Sequence, residues 1–110
     1  MSGNDHGADG DLFGELVDDL QGDDRRVVEG TIMGGPCVRV GKEFLALVDF
    51  KGSGLVVKLP RHRVDDLVAR GIGQPFAPAG RVFKEWVSIP IRDRALWRAL
   101  LVEGIEFVSS

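Results

Sequence analysis

The side chains best suited to catalysis are few in this chain and lie far apart. The two histidines are His6 and His62, the one cysteine is Cys37, and the adjacent acids are Asp65 and Asp66. A metal site requires several converging ligands, and neighbouring helical residues point in different directions, which disfavours Asp65 and Asp66 as an acid–base pair. No serine stands in a recognisable nucleophile motif. We therefore expect no metal, no cofactor and no catalytic residue, and we interpret the chain as non-enzymatic.

Basic side chains are the more informative group. Between residues 51 and 94, nine Lys and Arg stand against four acids. They concentrate at a strand-to-helix corner, after a loop rich in Gly and Pro, and at the opening of the last helix, where they suit contact with nucleic-acid phosphates. The candidate phosphate-binding residues are Arg61, Arg63, Arg81, Lys84, Arg92 and Arg94. Trp86 and Trp97 could stack on bases, although their spacing is also that of core residues.

The net charge of −3 hides an asymmetry along the chain. Residues 1–24 contain eight acids and no Lys or Arg, whereas the remainder holds all 14 Lys and Arg against nine acids. We expect residues 1–10 to form a disordered acidic leader and residues 11–110 to form a single, mildly basic domain. The leader either only improves solubility or competes with ligands for a basic face.

Length and composition are those of one globular domain. The chain has 110 residues, of which 44% are hydrophobic and 28% charged. One cysteine allows no intramolecular disulfide and points to a reducing compartment, and we expect the Cys37 thiol to be packed inside a strand. The acidic, Gly-rich start is unlike a signal or transit peptide, and no apolar run approaches the length of a membrane span. We expect a soluble, cytoplasmic protein that does not bind a membrane.

The first half of the chain predicts one helix and four strands. Apolar residues at three- and four-residue spacing indicate a helix from Asp11 to about Gly22. Segments rich in β-branched residues follow, separated by short glycine-bearing connections typical of antiparallel hairpins. The predicted strands are 26–33, 37–40, 43–50 and 55–59.

The second half predicts a helix, a strand and a final helix. Pro60 suits a helix entry, and Val64, Leu67 and Val68 form the apolar side of the expected helix 61–70. Further along, we expect an ordered turn at 72–80, a strand at 81–89 and a helix at 92–108. The apolar side of that last helix should comprise Leu96, Ala99, Leu100, Val102 and Phe107, with Trp97 and Leu101 beside it. This order favours an α+β domain with an antiparallel sheet and helices packed on one side.

Short motifs occur in a definite order along these elements. They are Met33-Gly34-Gly35-Pro36, Gly41-Lys42, Lys58-Leu59-Pro60, Gly71-Ile72-Gly73-Gln74-Pro75-Phe76, Gly80-Arg81 and Lys84-Glu85-Trp86-Val87. As a set spanning about residues 12–108, they resemble the YjbR (MmcQ-like) and TfoX N-terminal-like domains. Two positions depart from that pattern: the usual Met-Phe-Gly reads Ile32-Met33-Gly34-Gly35 here, and Phe83 replaces a frequent Met.

The resemblance implies a fold and a class of function. Such domains have a curved antiparallel sheet of about five strands, with N-terminal, middle and C-terminal helices packed against it. YjbR-like members are commonly labelled DNA-binding, and TfoX-like proteins are associated with the regulation of competence. The family supplies no established catalytic residue to carry over.

Two hypotheses about function follow, with a third in reserve. The first is a nucleic-acid-associated or regulatory domain whose six basic candidates contact phosphates, with DNA as the possible partner. The alternative is a protein–protein interaction module that uses an exposed sheet face or edge and the Pro-rich loop, either with a partner protein or as a homodimer. A small-molecule enzyme is the third, and it would need a deep pocket with a titratable group of displaced pKa.

Overall fold

One antiparallel sheet and three helices make up the fold of the computed structural model, which describes residues 5–32, 35–49, 54–77 and 80–109. The helices are α1 (Asp5–Asp23), α2 (Arg61–Ala69) and α3 (Arg94–Ser109). The strands are β1 (Val27–Ile32), β2 (Gly35–Val40), β3 (Glu43–Asp49), β4 (Gly54–Lys58), β5 (Gln74–Pro75) and β6 (Trp86–Ile89). The open sheet has the order β1-β2-β3-β4-β6-β5, and every neighbouring pair is antiparallel. The predicted α+β class with an antiparallel sheet is confirmed.

One face of the sheet carries most of the core. Val38 pairs with Ala46, Ala46 with Val57, and Val57 with Val87, so these four side chains form a row on the same face. None of the four is more than 1% exposed. Helices α1 and α3 both contact β2, β3 and β4 and cover this face. The two helices therefore form the second layer of a two-layer domain.

A β-bulge in β3 brings one extra side chain into that core. Val38 pairs with Ala46 while Arg39 pairs with Phe44, so Leu45 has no partner of its own. Leu45 is completely buried in the same cluster as Ala46. Two consecutive residues of β3 therefore point towards the helices.

Helix α3 approaches the sheet closely where Leu45 lies. A Cβ atom at Gly104 would stand 2.6 Å from Leu45 Cδ1 and 2.9 Å from the carbonyl oxygen of Lys58. Any side chain at this position would push the helix away from the sheet. Close packing therefore requires glycine at position 104. Its backbone conformation does not, because any residue can adopt a helical φ.

The opposite face of the sheet has a smaller apolar cluster. Cys37 pairs with Leu47 and Leu47 with Val56, and all three are buried. Phe76, in the loop after β5, and the half-buried Trp86 pack on this cluster. Cys37 is 2% exposed, and burial raises the pKa of its thiol. The prediction that the Cys37 thiol is packed within a strand is confirmed.

Helix α1 begins earlier than its sequence pattern indicates. It starts at Asp5, six residues before the predicted start at Asp11, so residues 5–10 are helical and not a disordered leader. Its apolar side is as predicted: Phe13, Leu16, Val17 and Leu20 are buried in the main core. An acid-rich segment can extend a helix from its N-terminal end because acids favour the positive end of the helix dipole. Residues 1–4 lie outside the described part of the chain.

The strand predicted at 81–89 is only four residues long. Residues 81–83 form a loop and residues 84–85 a turn, and β6 begins at Trp86. The neighbouring strand explains this, since β4 ends at Lys58 and Pro60 leads directly into α2, leaving nothing for residues 81–84 to pair with. Beyond the ends of β4 and β6, the Leu59 amide donates one more hydrogen bond to the Glu85 carbonyl at 3.0 Å. The two-residue strand β5, which the sequence reading placed in a turn, raises the number of strands from about five to six.

Helix α3 buries a side shifted from the predicted one: Leu100 is buried and Leu96 and Val102 pack against the core as predicted, but the buried side also takes in Trp97 and Leu101. It runs over Arg94–Ser109 rather than 92–108, and its buried residues are Trp97, Leu100, Leu101 and Gly104. Ala99, expected to face the core, is exposed. The indole Nε1 of Trp97 donates a hydrogen bond to the Ile91 carbonyl at 2.8 Å. Trp97 is therefore a core residue and is not available to a base.

Helix length and composition also bear on membrane insertion. Among the helices of the described residues, none is both long and apolar enough to cross a bilayer.

Candidate nucleic-acid interface

Arg63 is held in an ion-pair network between α2 and α3. Its Nε and Nη2 donate to the two carboxylate oxygens of Glu103 at 2.9 and 3.1 Å, and its Nη1 donates to Asp66 Oδ2 at 2.7 Å. The hydrogen bonds to Glu103 are the main cause of the raised pKa of Arg63. A guanidinium whose Nε and two Nη atoms all donate to carboxylates has its main hydrogen-bond donors already occupied. Arg63 joins two helices and is not a good candidate for phosphate contact.

Arg94 and its neighbours hold α3 to α1. Arg94 contacts Glu15 at 2.6 Å and Asp19 at 3.5 Å, and Arg98 contacts Asp23 at 3.7 Å. Three acids of α1, namely Glu15, Asp19 and Asp23, are therefore paired with basic residues of α3, although exposed pairs of this kind are individually weak.

Arg92 and Arg94 also lie apart from the other candidates along β6. Both follow the Ile89 end of this strand, whereas Trp86 marks its other end. Three residues of strand span about 10 Å. The structure therefore divides the six candidates, with Arg92 and Arg94 at one end of β6 and the remaining basic residues near the other.

Arg61, Arg81 and Lys84 gather around two aromatic rings. A shallow concavity of about 400 Å³ is lined by Lys58, Arg61, Phe83, Lys84, Glu85 and Trp86. The Arg81 guanidinium lies over the Phe83 ring, 5.6 Å from its centroid. We call this surface the basic aromatic corner. It comprises Lys58, Arg61, Arg81, Phe83, Lys84 and Trp86.

Three of the four cations of the corner are held by three different segments of the fold. Lys58 ends β4, Arg61 opens α2 two residues after Leu59, and Lys84 lies in the turn before β6. The Leu59–Glu85 backbone bond ties the end of β4 to that turn. These three cations therefore converge because Pro60 turns the chain sharply from β4 into α2.

The charge of the corner is mostly uncompensated. Lys58 approaches Glu43 at 3.7 Å, and Glu85 contributes one carboxylate to the lining. Within the part of the chain that the structure describes, no salt bridge involves Arg61, Arg81 or Lys84. The first turn of α2 contains no acid, so the positive end of its dipole adds to the same field.

Three aromatic rings form a continuous apolar floor beside these cations. The centroids of Phe76 and Phe83 are 6.0 Å apart and those of Phe76 and Trp86 are 6.4 Å apart, both with tilted planes. Phe83 is 38% exposed. The adjoining loop is fixed by the bond from the Phe83 amide to the Phe76 carbonyl at 3.0 Å. The rings are held in place and are partly open to a ligand.

An apolar groove adjoins the corner along α2. It has a volume of about 250 Å³ and shares Phe83, Lys84 and Trp86 with the concavity. Its other lining residues are Val64, Asp65, Val68, Ala69, Pro75 and Val82. We call this surface the apolar groove. Asp65 is its only acid, whereas Asp66 is bound to Arg63 and Arg70, so these adjacent carboxylates do point in different directions.

Lys58 and Phe83 are site residues that sequence reasoning missed. The sequence placed Lys58 in a strand and in the Lys58-Leu59-Pro60 motif, and Phe83 in a strand as a departure from the family pattern, but it indicated neither as a binding residue. The Lys58-Leu59-Pro60-Arg61 segment carried a usable signal, because two cations flank a proline that must end the strand.

The other potentially reactive residues that the structure describes do not assemble into a metal site. In residues 5–32, 35–49, 54–77 and 80–109, no group of three His, Cys, Asp or Glu side chains could hold a metal ion. His62 lies beside Arg63 and Glu103 in a separate surface depression. The chemistry that the described side chains offer is the binding of an anion next to an aromatic or apolar surface.

Comparisons with known proteins give no relative for this chain. No protein-family model matches it, and neither a curated protein nor a solved structure matches it at a significant level.

Proposed function

We propose that this chain is a non-enzymatic, nucleic-acid-associated domain and that the basic aromatic corner contacts the phosphates. One observation carries the proposal: Arg61, Arg81 and Lys84 surround exposed aromatic surface, and no salt bridge among the described residues engages them. Cations beside aromatic rings are the combination that nucleic acids favour, since phosphates bind the charges and bases stack on the rings.

This proposal narrows the set of residues expected from the sequence. Arg63 and Arg94 are left out because carboxylates bind them, and Arg92 is left out because it lies at the other end of β6. Lys58 is added. The proposed function agrees with what the resemblance to YjbR and TfoX N-terminal-like domains implies, and we propose membership of that family and a cytoplasmic location as part of the same hypothesis.

The experiment is a titration of a labelled oligonucleotide by fluorescence anisotropy at several salt concentrations. If three phosphate contacts form, the logarithm of the binding constant should fall with the logarithm of salt concentration with a slope of about −2 to −3. Lys84→Glu and Arg61→Glu should each weaken binding to every sequence and reduce the size of that slope by about 1.

Arg25→Glu provides a matched charge reversal for these variants. Arg25 is exposed and precedes β1, which is separated from β4 by β2 and β3, a lateral distance of about 14 Å. This variant should bind almost as the parent protein does. Equal losses for Arg25→Glu and Lys84→Glu would mean that net charge alone drives binding, and the proposed site would be refuted.

A second candidate function is self-association through the edge of the sheet. Strand β1 ends the sheet order and has six residues without proline, whereas the other edge strand, β5, has two residues and contains Pro75. Short, proline-containing edges resist pairing, and longer ones invite it. Val28 and Phe44, which are 39% and 41% exposed, place apolar surface near that edge.

Sedimentation velocity over a range of protein concentrations distinguishes this candidate. A dimer that forms through β1 should be lost in Val28→Lys and retained in Ile91→Lys, which places the same change at a residue that is 57% exposed elsewhere on the surface. A sedimentation coefficient of the parent protein that stays at the monomer value at every concentration would exclude the candidate.

A further inference from the structure

The basic aromatic corner and the apolar groove differ sharply in the ligands they accept. The groove walls are mainly aliphatic and aromatic side chains, with the carboxylate of Asp65 on α2 and with Lys84 at the boundary with the corner. A phosphate would lose water there and be repelled by Asp65. The corner next to it offers Lys58, Arg61 and Lys84, so an anion is stabilised on that side only.

The two surfaces share one boundary. Phe83, Lys84 and Trp86 line both of them, so a ligand could occupy both without a gap. Such a ligand needs a flat group with apolar faces, joined by a short connection to an anionic group. Among the components of nucleic acids, a nucleotide with its base unpaired has this form.

We propose that this domain binds single-stranded nucleic acid, with one unpaired base in the apolar groove against Phe83 and Trp86 and its phosphate at the basic aromatic corner. This inference rests on the proposed function and adds the kind of strand to it. In a duplex, the base faces are stacked on their neighbours, so the groove could be filled only after a base had left the helix. A single strand presents its bases without that cost.

Two substitutions test the groove without changing the charge of the protein. Phe83→Ala removes a stacking surface. Ala69→Phe fills the groove from α2, where Ala69 is exposed and a larger side chain need not disturb the core. Phe83→Trp keeps an aromatic face at the same place and serves as the conservative control, and thermal unfolding verifies that each variant is folded.

The probes are a labelled 12-nucleotide single strand, the same sequence as a duplex, and a single strand of equal length whose residues are abasic. The abasic strand keeps the phosphates and lacks the bases. We expect the parent protein to prefer the ordinary strand over the abasic strand by about 5- to 100-fold, the range that stacking of one base supplies. Phe83→Ala and Ala69→Phe should bring this ratio close to one, while Phe83→Trp should preserve it.

The outcomes separate this inference from the proposed function. Salt-sensitive binding that is equal for ordinary, abasic and duplex probes would refute the single-strand inference and leave phosphate binding at the corner intact. Absence of binding to all three probes would refute both. A preference for the ordinary strand that persists in Phe83→Ala and Ala69→Phe would place the base elsewhere and overturn the assignment of the groove.

Discussion

Gly104 permits a close approach of α3 to the sheet. We expect its replacement by alanine to lower the free energy of unfolding, because the new Cβ atom would collide with the sheet. The new Cβ would lie 2.6 Å from Leu45 Cδ1, 2.9 Å from the Lys58 carbonyl oxygen and 3.3 Å from Val57 Cγ2. Leu45 could rotate away, but the Lys58 carbonyl belongs to the backbone of β4 and cannot. Helix α3 must therefore move outward by several tenths of an ångström.

Two opposing effects determine how much Gly104→Ala changes the free energy of unfolding. Overpacking of a core costs about 1–3 kcal/mol, whereas alanine in place of glycine stabilises a helix interior by about 1 kcal/mol. The packing effect is the larger one here because a backbone atom is involved. We expect Gly104→Ala to lower the free energy of unfolding by about 1 kcal/mol net.

Gly14→Ala in α1 isolates the helix effect. A Cβ atom at Gly14 would have no other atom within 4 Å, so only the gain in helix propensity remains, and this variant should be stabilised by up to about 1 kcal/mol. In urea denaturation the two midpoints should move in opposite directions, each by about 0.5–1 M. If Gly104→Ala proves as stabilising as Gly14→Ala, the close approach of α3 and the reasoning built on it are wrong.

Three further predictions concern individual side chains. Glu103→Gln weakens the ion-pair network between α2 and α3 and should lower the free energy of unfolding by about 1 kcal/mol in urea denaturation, whereas Glu106→Gln on the exposed side should not. Hydrogen bonds from Arg26 lower the pKa of Asp24 from 3.8 to about 2. Their contribution to the free energy of unfolding should therefore be complete above pH 3.8 and disappear as the pH falls towards 2. The loss of stability over this pH range should be smaller in Asp24→Asn, and an equal loss in both proteins would contradict the prediction. Cys37 should react with a disulfide reagent only at the rate of unfolding, although it reacts fully in the denatured chain, and fast reaction in the folded protein would contradict its burial.

The antiparallel hairpins of β1 to β4 could be predicted because the sequence features that indicate them lie close together in the chain. Short glycine-bearing connections between β-branched runs are sufficient to indicate antiparallel hairpins. The start of α2 was also predictable, since Pro60 ends β4 and Val64 and Leu67 mark the buried side of the helix. The length of β6 was not, because it depends on where its neighbour β4 stops rather than on the residues at 81–85.

The composition of the candidate site depended on contacts that the sequence does not contain. Arg61 and Arg63 are two residues apart, yet the helical twist directs Arg63 to Glu103 of α3 and leaves Arg61 at the corner. Pairing of Arg94 with Glu15 joins residues that are 79 positions apart. Charge counts along the chain could locate positive segments but could not distinguish cations bound by carboxylates from cations that face a ligand.

The position of α1 and α3 on the same face of the sheet also orders the events of synthesis. Residues 27–32, 35–49 and 54–58, which contain β1 to β4, are made well before residues 94–109, and until then α1 is the only one of the two helices covering this face that has been synthesised. Leu45, Val57 and the other residues beneath α3 therefore remain uncovered by that helix until at least 36 residues have been added after the end of β4. A partly made chain of this kind exposes apolar surface that promotes aggregation. Early docking of the first helix, whose Phe13, Leu16 and Val17 are buried in the main core, would therefore protect the nascent chain before α3 is made.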